Sequence, residues 1–298
     1  MGDLTPERRI RINRIKKILV RINFTFLFVL FAACIGLLIR NVVLSDRIEQ
    51  LNGKLLEMEK ENNKLSNTDD ESDKAEIPTE DLSAVYVNPE LVYEKIAYLT
   101  FDDGPSENTV NILDILDRYK VKATFFVNGK EGDENEQRYR EIVKRGHSIG
   151  MHSYSHDYGQ VYESMESFIQ DTERIHTYIQ DITEIDTHIY RFPGGSSTTR
   201  TTHILEYIDY LESIGCEYFD WNVSSGDAVS VSLTAEDIVE NVMNGVTGHN
   251  RVIILMHDSA SKDTTVEALP TIIESLISEG YEILPIVETT IPVHHTVN

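Results

Sequence analysis

The stretch YLTFDDGP, residues 98–105, decides how the rest of the chain is read. An apolar run with the residue types of a buried strand ends in two adjacent carboxylates, Asp102 and Asp103, just before a Gly-Pro turn. Adjacent carboxylates repel and drive each other's pKa apart. A strand end that carries both needs a cation, or separate tasks for the two groups. Side chains alternate along a strand, so the pair points in different directions near one site.

Working outward, six further segments have the same character: an apolar run with polar or unusual residues at its C-terminal end. They are ATFFVNG, SIGMHSYSH, IYRFPGG, YFDWNVSSGD, VIILMHDS and EILPIV. Between them lie amphipathic runs such as NTVNILDILDRYK, NEQRYREIVKRG, SMESFIQDTERIHTYIQDI and TTVEALPTIIESLISEG. Strand–helix alternation predicts an α/β fold with a parallel sheet of about seven strands, open or closed into a barrel. In a barrel the C-terminal strand ends form the catalytic face, so the polar residues converge on one rim.

Four groups of residues on that rim carry chemistry. His152 and His156, in GMHSYSH, are spaced for one helical turn or a tight loop. Alone they could be structural, hydrogen-bonded histidines. With the Asp pair at a neighbouring strand end they make a carboxylate-plus-two-imidazole set of the kind that holds a catalytic metal. RFPGG, residues 191–195, pairs Arg191 with a Pro that fixes the chain and two glycines that expose backbone N–H groups, the donors an oxyanion hole requires. Asp227 closes WNVSSGD, and His257 closes VIILMH, where it leaves a buried strand as a candidate acid or base.

Together these residues resemble the polysaccharide deacetylases, the NodB-like enzymes of carbohydrate esterase family 4. TFDDGP is similar to their first motif, HSYSH to the His-Ser/Thr-x-x-His metal motif, RFPGG to Arg-x-Pro-x-Gly, and LMH (residues 255–257) to Leu-x-His. The resemblance covers roughly residues 90–290 and implies a distorted (β/α) barrel with fewer than eight strands. It implies Asp102 as general base, with Arg191 orienting it. Asp103, His152 and His156 would hold a divalent metal, commonly Zn²⁺, with Co²⁺ or another transition metal as the alternative. His257 would be the general acid, with Asp227 as its partner. Gly194, where the family often has Tyr, would offer its N–H to the oxyanion, and Leu255 would lie against the substrate. One position departs from the pattern: the family's fourth motif usually has Trp after the Asp, and here Ala228 follows Asp227. That puts the sugar subsite in question. Trp221, earlier in FDWNV, either replaces the missing wall or is a core residue.

Charge and hydropathy place the domain. The formal net charge is -23, with 27 Lys+Arg against 50 Asp+Glu. Residues 1–40 nevertheless hold eight basic side chains and two acidic ones, so the remainder is more acidic still. An acidic body excludes nucleic acid as a partner, since phosphate contacts need a basic face. Residues 22–39, INFTFLFVLFAACIGLLI, are uncharged and flanked by Arg21 and Arg40. This is just long enough to span a bilayer, longer than the apolar core of a cleaved leader, and followed by a poor cleavage site. The basic cluster (residues 1–21) lies before it, so the positive-inside rule puts the N-terminus in the cytoplasm and everything after Arg40 outside.

Residues 41–65 show a heptad pattern, with Leu44, Leu51, Met58 and Leu65 at d and Ile48, Leu55 and Asn62 at a. Asn62 would favour a dimeric register; a monomeric helical stalk is the alternative. Residues 66–82 are acidic and without period, a linker, and residues 83–298 form the catalytic domain. Cys34 and Cys216 are too differently placed to pair.

The expected function is therefore a membrane-anchored extracellular deacetylase acting on cell-wall glycan, foremost peptidoglycan N-acetylglucosamine. N-acetylmuramic acid, chitin oligomers and poly-N-acetylglucosamine are alternative substrates. A non-catalytic wall-binding protein on a decayed barrel is a different class, separated by substrate turnover. A non-haem iron oxygenase is a third, because two His and a carboxylate also suit Fe(II), and a requirement for oxygen would separate it.

Overall fold

The computed structural model describes residues 92–229 and 233–297. The expected basic tail, membrane span at 22–39, stalk at 41–65 and linker at 66–82 lie outside the described residues. Among the described residues no helix is long and apolar enough to cross a membrane.

The chain alternates strand and helix, as its periodicities predict. The strands are β1 (Ile96–Gly104), β2 (Thr124–Asn128), β3 (Ser148–Ser153), β4 (Ile189–Tyr190), β5 (Glu217–Tyr218), β6 (Val223–Ser224), β7 (Arg251–His257) and β8 (Glu282–Ile283). The helices are α1 (Thr109–Tyr119), α2 (Asp133–Lys144), α3 (Tyr158–Val161), α4 (Met165–Thr183), α5 (Ile204–Ser213), α6 (Ala235–Val246) and α7 (Asp263–Ser278). All strand pairings are parallel, in the order β5-β4-β3-β2-β1-β7-β6. β7 runs along one edge of β1; β8 pairs with the first residues of its other edge and β2 with the last.

Eight strands are present where about seven were expected. The segment YFDWNVSSGD is not one strand but two, β5 and β6, at opposite edges of the curled sheet. The residues between them turn their backbone away from a common ladder. Asp220 N–H donates to the Val293 carbonyl (2.8 Å), and the Trp221 carbonyl accepts from His295 Nε2 (2.8 Å). The C-terminal tail thus fills the gap between the two edge strands.

Strand alternation sorts the side chains into two layers. Ala97, Leu99 and Phe101 of β1 join the large apolar core that also takes the inner faces of the helices. Ile96 and Tyr98 point the other way, into a small inner cluster with Phe126, Ile189, Phe219, Ile253 and Ile286. The inner layer is tight. A Cβ on Gly150 would lie 2.8 Å from both Ile189 and Phe126, so β3 can pass only with glycine there. Carried to the strand ends, the inward parity of β1 reaches Thr100 and Asp102, that of β3 reaches His152, and that of β7 reaches Leu255 and His257. The same alternation that builds the inner core aims these side chains at one cleft.

Candidate active site

The cleft has a volume of about 430 Å³ and is lined by Asp102, Asp103, His152, His156, Gly194, Trp221, Leu255 and His257 among others. Arg191 and Asp227 stand behind it. All ten residues singled out from the sequence are therefore brought to one place.

The two carboxylates lie in different surroundings. Asp102 is buried and accepts from Arg191 Nη1 at 2.8 Å. Arg191 is itself completely buried and uses all three of its nitrogens: Nη1 also donates to Thr100 Oγ1 (2.6 Å), Nε to the Phe219 carbonyl (2.8 Å) and Nη2 to the Asp220 carbonyl (3.2 Å). Its carbon centre lies 4.2 Å from the Phe126 ring centre. A buried ion pair needs such additional hydrogen bonds to be tolerated. Asp103 has φ 72°, in the left-handed region, which turns its carboxylate from the inner face toward the histidines. Burial acts to raise its pKa, but the hydrogen bond with His156 and the His152, His156 and His257 charges hold it well below the usual carboxylate range.

Asp103 Oδ1 lies 3.0 Å from His156 Nε2 and 3.6 Å from His152 Nε2. One ligand atom from each of the three residues lies within 4.8 Å of the others. His152 Nδ1 is 2.7 Å from the Arg191 carbonyl. A carbonyl can only accept, so Nδ1 carries the proton and Nε2 offers its lone pair to the cluster. This is the outer-shell arrangement that orients a metal-bound imidazole. His152 is pushed down by burial, against the raising effect of the two Asp charges, which favours the neutral ligand form. The donor set fits a divalent transition metal.

His156 follows β3 in a tight bend rather than on a helix, with φ 50°. Asp171, on α4, holds the bend and was not singled out from the sequence. Its carboxylate accepts from Ser153 Oγ (2.7 Å), Tyr154 N (2.8 Å), Ser155 N (2.9 Å) and Ser155 Oγ (2.8 Å), and Ser153 Oγ in turn accepts from His156 N (2.8 Å). The sign of it in the sequence is its position: Phe168, Asp171, Thr172, Ile175 and Ile179 form the buried stripe of α4, and a carboxylate within an apolar stripe needs partners.

Across the cleft, His257 Nδ1 donates to Asp227 Oδ1 at 2.7 Å. Asp227 also accepts from His257 N (2.8 Å) and Thr265 Oγ1 (2.9 Å), the latter from the first turn of α7. Burial would lower the His257 pKa; the hydrogen bond and charge of Asp227 outweigh it, and the imidazole is shifted upward. Asp258, the next residue, is buried beneath the Asp102–Asp103 turn. It accepts from Ser106 Oγ and Thr109 Oγ1, both at 2.6 Å, and donates from its N–H to the Asp102 carbonyl at 2.7 Å.

The RFPGG turn runs along the cleft wall. Gly194 and Gly195 have φ of 80° and 78°, which only glycine adopts readily. The Gly195 N–H is taken by the Phe192 carbonyl at 2.8 Å, while among the described residues the Gly194 N–H has no acceptor. Trp221 is half-buried: it packs on the inner cluster and also lines the cleft. Ala228 is exposed at the rim.

A curled parallel (β/α) sheet with this set at its C-terminal rim defines a class of hydrolase, and comparison with known proteins agrees. The polysaccharide deacetylase family model matches residues 92–212. A peptidoglycan-N-acetylglucosamine deacetylase of Bacillus cereus is 33% identical over 196 residues, 63% of this chain and 68% of that protein. The crystal structure of the catalytic domain of peptidoglycan N-acetylglucosamine deacetylase from Eubacterium rectale is similar with a TM-score of 0.67 at 40% identity, over 73% of this chain and 98% of that one. A CE4 family pseudoenzyme from Bacillus anthracis is also similar, with a TM-score of 0.55 at 27% identity, over 65% of this chain and 64% of that one. The chain belongs to the polysaccharide deacetylase family, the NodB-like carbohydrate esterases of CE4.

Proposed function

We propose that this chain is a metal-dependent N-deacetylase of peptidoglycan N-acetylglucosamine, anchored in the membrane by residues 22–39 with its catalytic domain outside. The observation that carries the reading is one cleft holding a carboxylate and two imidazoles within 4.8 Å of one another, a second carboxylate on a buried Arg, and an Asp-backed histidine.

Asp103, His152 and His156 would hold the metal, commonly Zn²⁺ in such a donor set. When bound there, a divalent cation polarises an amide carbonyl and lowers the pKa of a water. The chain's own residues supply the rest. Asp102, fixed by Arg191, takes the proton from the attacking water. The Gly194 N–H donates to the carbonyl oxygen as it gains charge. His257, kept protonated by Asp227, gives its Nε2 proton to the leaving nitrogen, the C–N bond breaks, and acetate and a free amine result.

The substrate is argued from position and kinship. An anchor and a stalk would hold the domain beside the wall, and the relatives named above include peptidoglycan-N-acetylglucosamine deacetylases. The test incubates the purified full chain and Zn²⁺ with peptidoglycan and with chitin oligomers. Acetate release, with a mass loss on the N-acetylglucosamine of digested peptidoglycan, is expected; a mass loss on the muramic residue alone would move the activity to that sugar. The presence of one intact metal set and an Asp-backed acid speaks against a decayed barrel. The anchor has its own test: protease added outside intact cells should release the acidic domain, and protection of that domain would reverse the orientation.

A further inference from the structure

Each glycine of the turn after β4 is pressed by a different aromatic ring. A Cβ on Gly194 would lie 3.1 Å from Tyr158 Cε1 and 3.4 Å from its hydroxyl; one on Gly195 would lie 2.9 Å from Trp221 Cη2. Both rings line the cleft beside His152 and His156. The space that a side chain at 194 would enter is therefore bounded by Tyr158, which arrives from the start of α3, just beyond the histidine bend, and by Thr198 Oγ1 at 3.3 Å.

The ring is held from several sides. It stands edge-on to His156, centroids 5.5 Å apart at 79°, and meets the Tyr162 ring at 6.1 Å. Tyr162 is pinned in turn by its hydroxyl to the Pro193 carbonyl (2.9 Å). The Arg200 guanidinium lies 5.4 Å from the centre of the Tyr158 ring. Yet the Tyr158 hydroxyl has no hydrogen-bond partner among the described residues. A fixed ring with an apolar body and one unpaired polar tip, facing a polar cleft, is suited to a ligand that is itself amphipathic. A pyranose is such a ligand: its C–H face packs on a ring and its hydroxyls hydrogen-bond at the edge.

We infer that Tyr158 is a specificity-determining residue that walls the subsite for the N-acetylated pyranose, its ring against the sugar and its hydroxyl on a sugar hydroxyl. The ring reaches the cleft from a separate element, and the absence of a side chain at Gly194 leaves room beside it. The inference rests on the deacetylase reading for the identity of the sugar.

The experiment measures binding of the N-acetylglucosamine tetramer by calorimetry, the kcat and KM of acetate release from it, and zinc content. It compares the wild-type full chain with Tyr158→Phe and Tyr158→Ala. Tyr158→Ala should raise Kd and KM about tenfold, the scale expected when a binding site is stripped of one aromatic ring, with a smaller change in kcat. Tyr158→Phe should fall between, and zinc content should not change. Unchanged Kd and KM in Tyr158→Ala would overturn the inference. So would a joint loss of zinc and kcat, because the ring would then serve only to prop His156. A wild-type chain that binds the tetramer but releases acetate from neither it nor peptidoglycan would sink the deacetylase reading, and the Kd comparison would still decide Tyr158. A wild-type chain that does not bind it at all would overturn the inference, and acetate release from peptidoglycan would still decide the deacetylase reading.

Discussion

At the scale of single residues, function here depends on giving chemically identical groups different surroundings. Asp102 and Asp103 are neighbours, but one sits on the inner strand face against Arg191 and the other is turned by a left-handed backbone toward two imidazoles. His152 and His257 divide in the same way: burial pushes the first toward the neutral form, and Asp227 holds the second toward the charged form despite burial. The sign of the His257 shift makes a prediction. A raised pKa keeps the acid protonated above the ordinary imidazole value of about 6.5, so the alkaline limb of kcat/KM should lie above that pH. In Asp227→Asn its charge and charge-assisted hydrogen bond are gone, leaving burial opposed only by the Asp102 and Asp103 charges, so the limb should move to lower pH. Activity near pH 8 should fall by about 10²-fold, the low end of a general acid's contribution, and recover in part toward pH 6. A pH profile of the variant whose limb stays at the wild-type position would show that Asp227 does not set the acid.

At the scale of elements, the parity of the strands and the stripe of one helix do the positioning. The strand ends were legible in the sequence because polar residues interrupt apolar runs there, and a period of two then orders them without knowledge of the fold. What was not legible depends on partners far along the chain. Asp171 meets the histidine bend from α4, Tyr158 meets Gly194, and Asp258 meets Ser106 and Thr109. None of these pairs has a local spacing rule. YFDWNVSSGD read as one strand because its Tyr, Phe, Trp and Val suit a strand; the break falls where Asp220 and Trp221 bond to the tail instead of to a strand. The role of α4 can be measured. Asp171→Asn keeps the shape but replaces acceptors with a donor, so some of the bonds to Ser153, Tyr154 and Ser155 are lost. Zinc affinity, from competition with a chromophoric chelator, should fall about 10–100-fold, the usual cost of an outer-shell change. Unchanged affinity would mean that the bend holds His156 without α4.

At the scale of the whole molecule, the sheet order explains why one rim can hold the entire reaction. β1 is central, flanked by β2 and β7, and it carries both carboxylates. His152 on β3 and Arg191 after β4 come from one side of it, and His257 on β7 from the other. His257 and the two imidazoles His152 and His156 thus lie on opposite sides of the first strand, with Asp102 and Asp103 between them. The central claim is that the two aspartates of that strand do separate work, and one measurement addresses it most directly: acetate release against Zn²⁺ concentration for Asp102→Asn and Asp103→Asn, with bound zinc determined in parallel. Asp102→Asn should retain zinc, lose roughly 10²–10⁴-fold in kcat, and gain nothing from added metal. Asp103→Asn should lose zinc and regain part of its activity as zinc is raised, by mass action. Rescue of Asp102→Asn but not of Asp103→Asn would mean the roles are exchanged, and wild-type rates in both would contradict the account.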